Sequence, residues 1–502
     1  MKTLHLALGL AAGLAVTATA AVVNPKITTD RTVDTSSPET ILRDVLKGKT
    51  TPQEKAIALF EFQRRMVYHV NADCFGDHRD FMKSYNVYGC NLCGSQATTA
   101  TELARRAGCF EDQRVVSVPG HTIYELKYDG KWHTFDTMMN FYAFTDAAKK
   151  DVADLDQMKA RPDIALKAVE EGRACPGYLH CGDAPTTFTG GRTKVNNYTY
   201  RPTDNLMQYA LHRGESWTRH FEPQFDAPAW CQPLKGGVGP YHGCGGRDDK
   251  DSVNFALWEP YLIKKYGRVS RSYRHWATGF WEYAPDLTTD AAVKDVQAAG
   301  VAVAGGMLRP AASGAAGEFV YNLAHCPWLI VNGRLTARVA KGSPADVVRI
   351  SAGPDAKNLK EVWSSKEAGE AAVDVDLFAS AFQKRAWNGV VKIDLQAADP
   401  AKTGVADLHV KFGFIHNYPS APVLLPGPNR VKVECQPEGL KDAKLALTYS
   451  WFNVQADKDG PTYVDKAASS TKIITAVPVE ETITLPETKK FPKMDFIRLE
   501  CK

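Results

Sequence analysis

The residues most able to do chemistry lie in one cysteine-rich stretch, "NVYGCNLCGSQATTATELARRAGC", at residues 86–109. Three of the eleven cysteines of the chain, Cys90, Cys93 and Cys109, lie in it. Cysteines at such spacing can bind a metal, form a redox pair, make structural disulfides or supply a nucleophile. Because eleven is an odd number, pairing as many cysteines as possible still leaves one thiol over.

Cys93 has the position that suits a nucleophile. Small and apolar residues recur after it at helical spacing as far as Gly108, which predicts a helix that begins near Cys93. The N–H groups of a first helical turn carry partial positive charge, so they favour a thiolate, and they can also stabilise an oxyanion. Cys90 lies in the preceding loop and Cys109 follows the helix end, where the dipole has the opposite sign.

A base and a carboxylate follow in the next segment. Val115–Val118 reads as a strand, and His121–Tyr128 and Lys131–Asp136 read as two strands joined by the two-residue turn Asp129-Gly130. This turn pairs Tyr128 with Lys131, which places Ile123 opposite Asp136. His121 is then a diagonal neighbour of Asp136 at roughly 5 to 7 Å, within reach of a side-chain hydrogen bond.

Together these residues predict a Cys-His-Asp arrangement, in which Cys93 attacks, His121 takes and returns a proton, and Asp136 fixes the tautomer of the imidazole. Other readings stay open. Cys90 and Cys93 could bind zinc, form a thioredoxin-type redox pair or form a disulfide that would disable the nucleophile. His121 could be an ordinary strand histidine, and Asp136 an ordinary residue at a strand end.

The stretch from about Thr51 to Asp136 resembles the transglutaminase-like superfamily, whose core is a papain-like α+β fold. The likeness rests on Cys93 followed by Ala97, Arg105 and Gly108, and on "GHTIYELKYDGKWHTFD" with His121, Glu125, Trp132 and Asp136 in order. The resemblance implies Cys93 as nucleophile, His121 as general base and acid, and Asp136 as the orienting carboxylate. It also implies that the backbone N–H of Cys93 helps to form the oxyanion hole. Cys90 is an addition to the basic pattern.

Three further segments of the first third are predicted to be helical. Ser37-Pro38 begins one helix, and Thr51, Pro52 and Glu54 begin another through a capping box. The polar stretch "AAKKDVADLDQMKARPDIALKAVEEGRAC" at residues 147–175 is also typical of helix.

The N-terminal residues predict that the protein is exported from the cytoplasm. Lys2, a short apolar run and the small residues before a cleavage point near Ala20 are typical of a secretory signal peptide, so the mature protein is expected to be secreted or periplasmic. The run is too short to span a bilayer comfortably. Thiols of an exported chain can be oxidised. The candidate pairs in the sequence are Cys175–Cys181, Cys231–Cys244 and Cys435–Cys501.

A net charge of +4, with no long basic run, is too small to imply a nucleic-acid partner, and none is expected. The expected substrate is an extracellular peptide or polysaccharide, and no cofactor or metal is expected.

Aromatic and basic residues crowd the middle of the chain, between residues 196 and 283. Aromatic faces interleaved with arginine suit a sugar-binding cleft or an acidic polysaccharide, through stacking and charge-assisted hydrogen bonds. The alternative, that the tryptophans fill a β-rich core, is slightly favoured. The candidate substrate-binding residues are Trp217, Arg219, His220, Tyr241 and His242.

From about residue 300 the chain alternates short apolar strands with turn residues, which predicts β-sandwich domains. The expected fold is therefore an α+β transglutaminase-like N-terminal domain followed by all-β sandwich domains. The predicted segments are a signal peptide (1–20), the α+β core (21–195), the aromatic and Arg-rich region (196–300), a β-sandwich (301–420) and a second small β domain (421–502).

Two function classes follow from the sequence. The first is an exported cysteine enzyme that cleaves or transfers an amide or ester acyl group through a thioester at Cys93, with water favoured as acceptor. The second is a carbohydrate-active enzyme, a polysaccharide lyase or hydrolase on an acidic glycan, that uses Tyr, His and Arg residues of 196–283 with the N-terminal fold as a scaffold.

Overall fold

The computed structural model describes a chain with a mixed N-terminal part and a β-rich remainder. The described residues are 21–69, 77, 80–139, 141–171, 184–198, 207–221, 224–225, 276–382, 385–435, 439–457, 460–486 and 493–502. The predicted signal peptide and the pairs Cys175–Cys181 and Cys231–Cys244 lie outside them.

The N-terminal part combines helices with short strands and one antiparallel sheet, an α+β arrangement. Its helices are α1 (Pro38–Val45), α2 (Pro52–Met66), α3 (Phe81–Lys83), α4 (Cys93–Ala107), α5 (Leu155–Ala160), α6 (Asp163–Glu170) and α7 (Ala184–Thr189), and a π-helix spans Ser84–Tyr88. Its strands are β1 (Val22–Val23), β2 (Lys26–Thr29), β3 (Tyr68–His69), β4 (Cys90–Asn91), β5 (Asp112–Val118), β6 (His121–Tyr128), β7 (Lys131–Phe135) and β8 (Lys194–Asn196).

Local sequence signals explain where these helices begin and end. The capping boxes predicted at Ser37 and Thr51 are both formed, with Pro38 and Pro52 in the first helical turn. Helix α4 begins at Cys93, and Gly108 caps it after Ala107 with a φ of 63°, which only glycine adopts at little cost. The polar stretch predicted as helical forms α5 and α6, and Pro162 lies between them.

The N-terminal sheet has the strand order β7-β6-β5-β8, and α4 packs across β5 and β6. Its hairpin has the predicted register, because Tyr128 pairs with Lys131 and Tyr124 with Phe135. Glu125 of β6 is fully buried and forms ion pairs with Arg114 (2.6 Å) and Arg192 (3.2 Å). This pairing ties β6 to β5 and to the segment that leads into β8.

The remainder of the described chain is built almost wholly of strands. They are β9 (Ala210–Leu211), β10 (Glu215–His220), β11 (Trp276–Tyr283), β12 (Gln297–Ala299), β13 (Val301–Ala304), β14 (Met307–Pro310), β15 (Ala316–Leu323), β16 (Leu329–Lys341), β17 (Val347–Gly353), β18 (Lys360–Ser364), β19 (Gly369–Asp376), β20 (Gly389–Gln396), β21 (Gly404–Asn417), β22 (Gly427–Glu434), β23 (Leu445–Asp457), β24 (Gly460–Ile474), β25 (Val479–Leu485) and β26 (Lys493–Cys501).

Two large sheets dominate this region. In the part of the chain that the structure describes, a ten-stranded sheet runs β13-β14-β21-β11-β10-β26-β23-β24. In the same sheet β16 also pairs with β21, and β19 pairs with β16. A five-stranded sheet runs β12-β15-β20-β17-β18. Residues of both sheets, such as Tyr321 of β15 and Phe412 of β21, share one buried apolar cluster. The β-rich architecture predicted from about residue 300 is therefore present.

The ten-stranded sheet crosses the segment boundaries expected from the sequence. Strands from 196–300 (β10 and β11), from 301–420 (β21) and from 421–502 (β26) pair with one another in it. The N-terminal part is attached to this sheet through Asn417, whose side-chain amide donates to the carbonyl oxygens of Met66 (2.9 Å) and Tyr85 (2.7 Å). The described chain thus packs as one connected body of sheets and helices.

Within the described residues, none of the helices combines the length and the apolar character that crossing a bilayer would require.

Candidate active site of cysteine, histidine and aspartate

A buried hydrogen bond joins the predicted base to the predicted carboxylate. His121 is the first residue of β6, and Asp136 directly follows β7. The Nε2 atom of His121 lies 2.7 Å from Oδ2 of Asp136, and both side chains are almost completely excluded from solvent. The diagonal contact predicted from the register of the hairpin is therefore confirmed.

Asp136 is held rigidly by its own neighbours. Its second carboxylate oxygen, Oδ1, accepts a hydrogen bond from the backbone N–H of Met138 (2.9 Å). Its backbone N–H donates to the carbonyl of Phe141 (2.9 Å) and its carbonyl accepts from the N–H of Phe141 (2.8 Å). An imidazole that donates from Nε2 to this carboxylate leaves Nδ1 as the nitrogen that would take a proton from a thiol.

Cys93 is the first residue of α4, as the sequence predicted. The N-cap residue Leu92 offers no side-chain cap, and its carbonyl accepts the first intrahelical bond from the N–H of Gln96 (2.9 Å). The N–H groups of Cys93, Gly94 and Ser95 precede that bond, so the positive end of the helix lies at the thiol.

The packing of α4 brings this thiol to the histidine side of the sheet. The half-buried Cys93 side chain packs against an apolar cluster that includes Val118, Ile123 and Met138. Val118 pairs with His121 across β5 and β6, and Ile123 lies two residues after His121. Cys93, His121 and Asp136 therefore border the same small core.

Cys90 and Cys93 belong to different parts of the interior, although only two residues separate them. Cys90 lies in β4 and is buried in the large core of the β-rich region, whereas Cys93 packs against the cluster beside His121. Both are present as thiols, so the disulfide that would disable Cys93 is not formed. The predicted staple between Cys435 and Cys501 is not formed either, because both residues carry thiols.

Burial suppresses the reactivity of four other described thiols. Desolvation raises the pKa of Cys109, raises the pKa values of Cys435 and Cys501 to about 12, and raises that of Cys326 further. A thiol with a raised pKa holds less thiolate at neutral pH, and only the thiolate is a strong nucleophile.

The sequence alone did not identify Gln96, a buried residue whose hydrogen bonds connect the segment before Cys93 to the residue after Asp136. It is called here the Gln96 brace. Gln96 donates from Nε2 to the carbonyl of Asn91 (2.9 Å), two residues before Cys93, and accepts at Oε1 from the hydroxyl of Thr137 (3.0 Å), directly after Asp136. Its backbone carbonyl accepts from the side chain of Gln63 (2.6 Å). The signal that could have found it is a glutamine on the small-residue face of α4, one turn after Cys93.

We expect Gln96→Leu to destabilise the protein, because it leaves the Thr137 hydroxyl and the Asn91 carbonyl without their buried partner. Each such loss costs about 1–3 kcal/mol, so the midpoint of urea unfolding should fall clearly. Gln396→Leu is the matched control, since the exposed Gln396 side chain donates only one bond, to the carbonyl of Gly314 (2.8 Å). Equal unfolding midpoints for the two variants would show that Gln96 is not a brace.

The candidate substrate-binding residues are separated by the structure. Trp217 and Arg219 lie on one face of β10 and line a cavity of about 510 Å³. His220 lies on the opposite face, where its ring packs against Phe280 and Phe496. Tyr241 and His242 lie outside the described residues.

Comparisons with known proteins give no family for this chain. No family model matches it, and no curated protein matches it. Among solved structures, the Endo-D glycoside hydrolase domain of Streptococcus pneumoniae R6 is similar at 12% identity with a TM-score of 0.13, covering 44% of this chain and 37% of that chain. The tandem CBM22-1-CBM22-2 domain of Xyn10C from Paenibacillus barcinonensis is similar at 9% identity with a TM-score of 0.14, covering 41% of this chain and 83% of that chain. These TM-scores are too low to relate the function of either protein to this chain.

Proposed function

We propose that the chain is a transglutaminase-like cysteine enzyme that hydrolyses or transfers an amide or ester acyl group through a thioester at Cys93. The observation that carries the proposal is the buried hydrogen bond of 2.7 Å between His121 and Asp136, beside a helix that begins at Cys93. A thiol at a helix start, an imidazole with a fixed tautomer and a carboxylate that fixes it are the parts of a nucleophilic triad.

Each residue has a defined task in this reaction. Nδ1 of His121 takes the proton of the Cys93 thiol, and the sulfur forms a bond to the substrate carbonyl carbon. The oxyanion of the tetrahedral intermediate is stabilised by first-turn N–H groups of α4, including that of Cys93. The intermediate collapses to a thioester as the bond to the leaving amine or alcohol breaks, and the imidazolium of His121 gives that group its proton.

Water then completes the cycle. His121 takes a proton from a water molecule, the resulting hydroxide attacks the thioester, and the carboxylic acid product leaves as the sulfur regains its proton from His121. The side chain of Asp136 keeps its hydrogen bond to His121 throughout and stabilises the imidazolium. Water is the proposed acceptor because no amine-binding site is evident in the sequence.

A second candidate is a carbohydrate-active enzyme in which the N-terminal fold is only a scaffold. The observation that favours it is the cavity lined by Trp217 and Arg219. In that case Cys93→Ser would leave turnover of an acidic polysaccharide unchanged, whereas the cysteine enzyme would lose its activity.

The proposal is tested by mapping thiol reactivity in the full-length protein. We expect iodoacetamide at pH 7 to label Cys93 fastest, with a rate that varies little between pH 6 and 8, whereas Cys109, Cys435 and Cys501 should react slowly because burial raises the pKa values of their thiols. Mass spectrometry of digested samples taken over time gives the rate at each site. Labelling of Cys93 at the same rate as Cys109 would contradict an activated nucleophile.

A further inference from the structure

A cavity lies away from Cys93, between the N-terminal part and the β-rich region. The cavity that Arg219 lines, called here the Arg219 cavity, has a volume of about 510 Å³, within the range of small-molecule sites. Arg106, near the C-terminal end of α4, contributes to its lining. Cys93 begins the same helix, and thirteen residues at 1.5 Å each place the two helix positions roughly 20 Å apart.

Arg219 is a buried cation, with only 4% of the residue exposed. Its hydrogen bonds go to neutral groups: Nε and Nη2 bond to Nδ1 of His416 (3.3 and 3.2 Å), and Nη2 also bonds to the carbonyl of Asn417 (3.2 Å) and the hydroxyl of Ser420 (2.9 Å). Among the described residues no hydrogen bond engages its Nη1, and no carboxylate forms an ion pair with it. The guanidinium lies over the Trp328 ring, 5.0 Å from its centroid, and this cation–π contact offsets only part of the cost of burying the charge. A guanidinium with an aromatic face but no carboxylate beside it is well matched to an anion.

The surrounding groups do not supply the missing negative charge. His416 accepts from Arg219 at Nδ1 and donates from Nε2 to the carbonyl of His220 (2.9 Å), the pattern of a neutral imidazole. Burial, then the nearby Arg219 charge, lower the pKa of His416 well below its usual value, so it stays neutral. Burial likewise lowers the pKa of Arg219, as expected for a cation with no anion beside it.

The acidic residues of the lining have other partners. Asp34 pairs with Lys26 (2.6 Å), Glu39 with Arg106 (3.5 Å) and Glu434 with Lys432 (2.6 Å). Among the described cations that line the cavity, Arg219 is therefore the one without a carboxylate partner.

The walls of the cavity also offer groups that recognise hydroxyls. Ser and Thr residues of the segment 28–40 line one side. On the other side Trp328, only 2% exposed, has an indole N–H with no acceptor among the described residues. The walls are fixed to each other, because the hydroxyl of Thr35 donates to Oδ1 of Asn86 (2.8 Å) and lies 3.2 Å from the carbonyl of Ser420.

We propose that the Arg219 cavity binds a small hydroxylated carboxylic acid of the size and chemistry of a uronic acid, with the carboxylate at Arg219 and the hydroxyls toward the Ser and Thr wall. This site goes beyond the proposed thioester chemistry and does not depend on it. An acid of this kind supplies an anion to the guanidinium and hydroxyl donors to the Ser and Thr oxygens, several of whose own protons are already bonded within the protein. A neutral sugar lacks the anion, and a simple anion lacks the hydroxyls.

The test uses the full-length protein and three probes: D-galacturonate, D-galactose as the neutral match, and acetate as the carboxylate without hydroxyls. We expect galacturonate to raise the thermal unfolding temperature and to bind in calorimetric titration, and galactose and acetate to do neither at the same concentration. The result should be the same in Cys93→Ser, which separates this site from the proposed enzyme. Failure of galacturonate to bind, or equal binding of galactose or acetate, would overturn the proposal.

Substitutions of Arg219 test whether this residue binds the carboxylate. Arg219→Met should weaken galacturonate binding by roughly ten- to a hundredfold, the effect of losing charge-assisted hydrogen bonds. Arg309→Met is the matched control, because Arg309 also donates to backbone carbonyls, of Ala304 (2.9 Å) and Pro400 (3.0 Å), but does not line the cavity. If Arg219→Met does not fold, Arg219→Lys retains the charge while losing the planar fork, and binding should weaken by a smaller factor. Unchanged affinity in a folded Arg219 variant would place the ligand elsewhere.

Discussion

His121→Ala should slow the alkylation of Cys93 and remove turnover of an activated acyl substrate such as p-nitrophenyl acetate. The variant has no group to take the thiol proton or to return it to the leaving group. A positioned general acid and base contributes about 10²- to 10⁴-fold, so the rate of the acylation burst should fall by that factor at pH 7. Stopped-flow measurement of p-nitrophenolate release gives the burst rate directly.

His133→Gln is the matched control for loss of a buried imidazole. His133 lies on β7 of the same sheet, and its Nδ1 bonds to the carbonyl of Val152 (2.6 Å) rather than to a group of the site. The His133→Gln variant should keep the burst rate of the parent protein, measured at a temperature where variant and parent are both folded. If the burst in His121→Ala equals that of His133→Gln, His121 is a structural histidine and the proposed enzyme is wrong.

Asp136→Asn should keep the fold and lose most of the activity. The carboxylate accepts from the backbone N–H of Met138 at Oδ1 and from His121 at Oδ2. If the single amide oxygen of asparagine keeps the bond to Met138, its NH₂ group faces His121 and Nε2 must become an acceptor. The imidazole proton then moves to Nδ1, where it blocks uptake of the thiol proton. Such a change of tautomer costs about 10⁴-fold in kcat in a serine protease triad.

The control for removing a carboxylate is Asp151→Asn. Asp151 is a partly exposed acid that pairs with Lys131 (3.1 Å) on the hairpin. We expect a change in turnover of less than twofold in this variant, since a surface ion pair contributes about 0–1 kcal/mol to stability and has no part in the reaction. A loss of less than tenfold in Asp136→Asn would mean that the carboxylate does not set the tautomer.

The local geometry of the candidate site was predictable because short-range rules determine it. Asp129 and Gly130 have φ values of 51° and 72°, the positive values that a two-residue type I′ turn requires. That turn fixes the register of the hairpin, and the register fixes the distance from His121 to Asp136. The start of α4 at Cys93 followed in the same way from helical spacing and from Gly108.

Long-range pairing was not predictable, because residues far apart in the chain decide it. The sequence suggested separate β domains on either side of residue 420, yet β10 pairs with β26 and places Trp217 beside Leu499. The lining of the Arg219 cavity likewise combines residues that are far apart in the chain, from the segment 24–40 and from the β-rich region. Alternation of apolar residues shows that strands exist, but it does not show which strands are neighbours.

The hydrogen bonds of Gln96 were hidden for a related reason. A glutamine on a helix is usually a solvated residue, and only the packing of α4 against β5 and β6 makes it a buried connector. Its position on the small-residue face of α4 suggests burial, but its partners Asn91 and Thr137 follow only from that packing.

The strand near the start of the chain finds its partner near the other end. β2 pairs with β22, and Asp30 binds Arg430, which lies 400 residues away. During synthesis this strand must therefore wait, unpartnered, until almost the whole polypeptide has emerged. Closing so long a loop is slow, so the last step of folding should be rate-limiting and should leave the unpaired edge of β22 open to chaperones until it is complete.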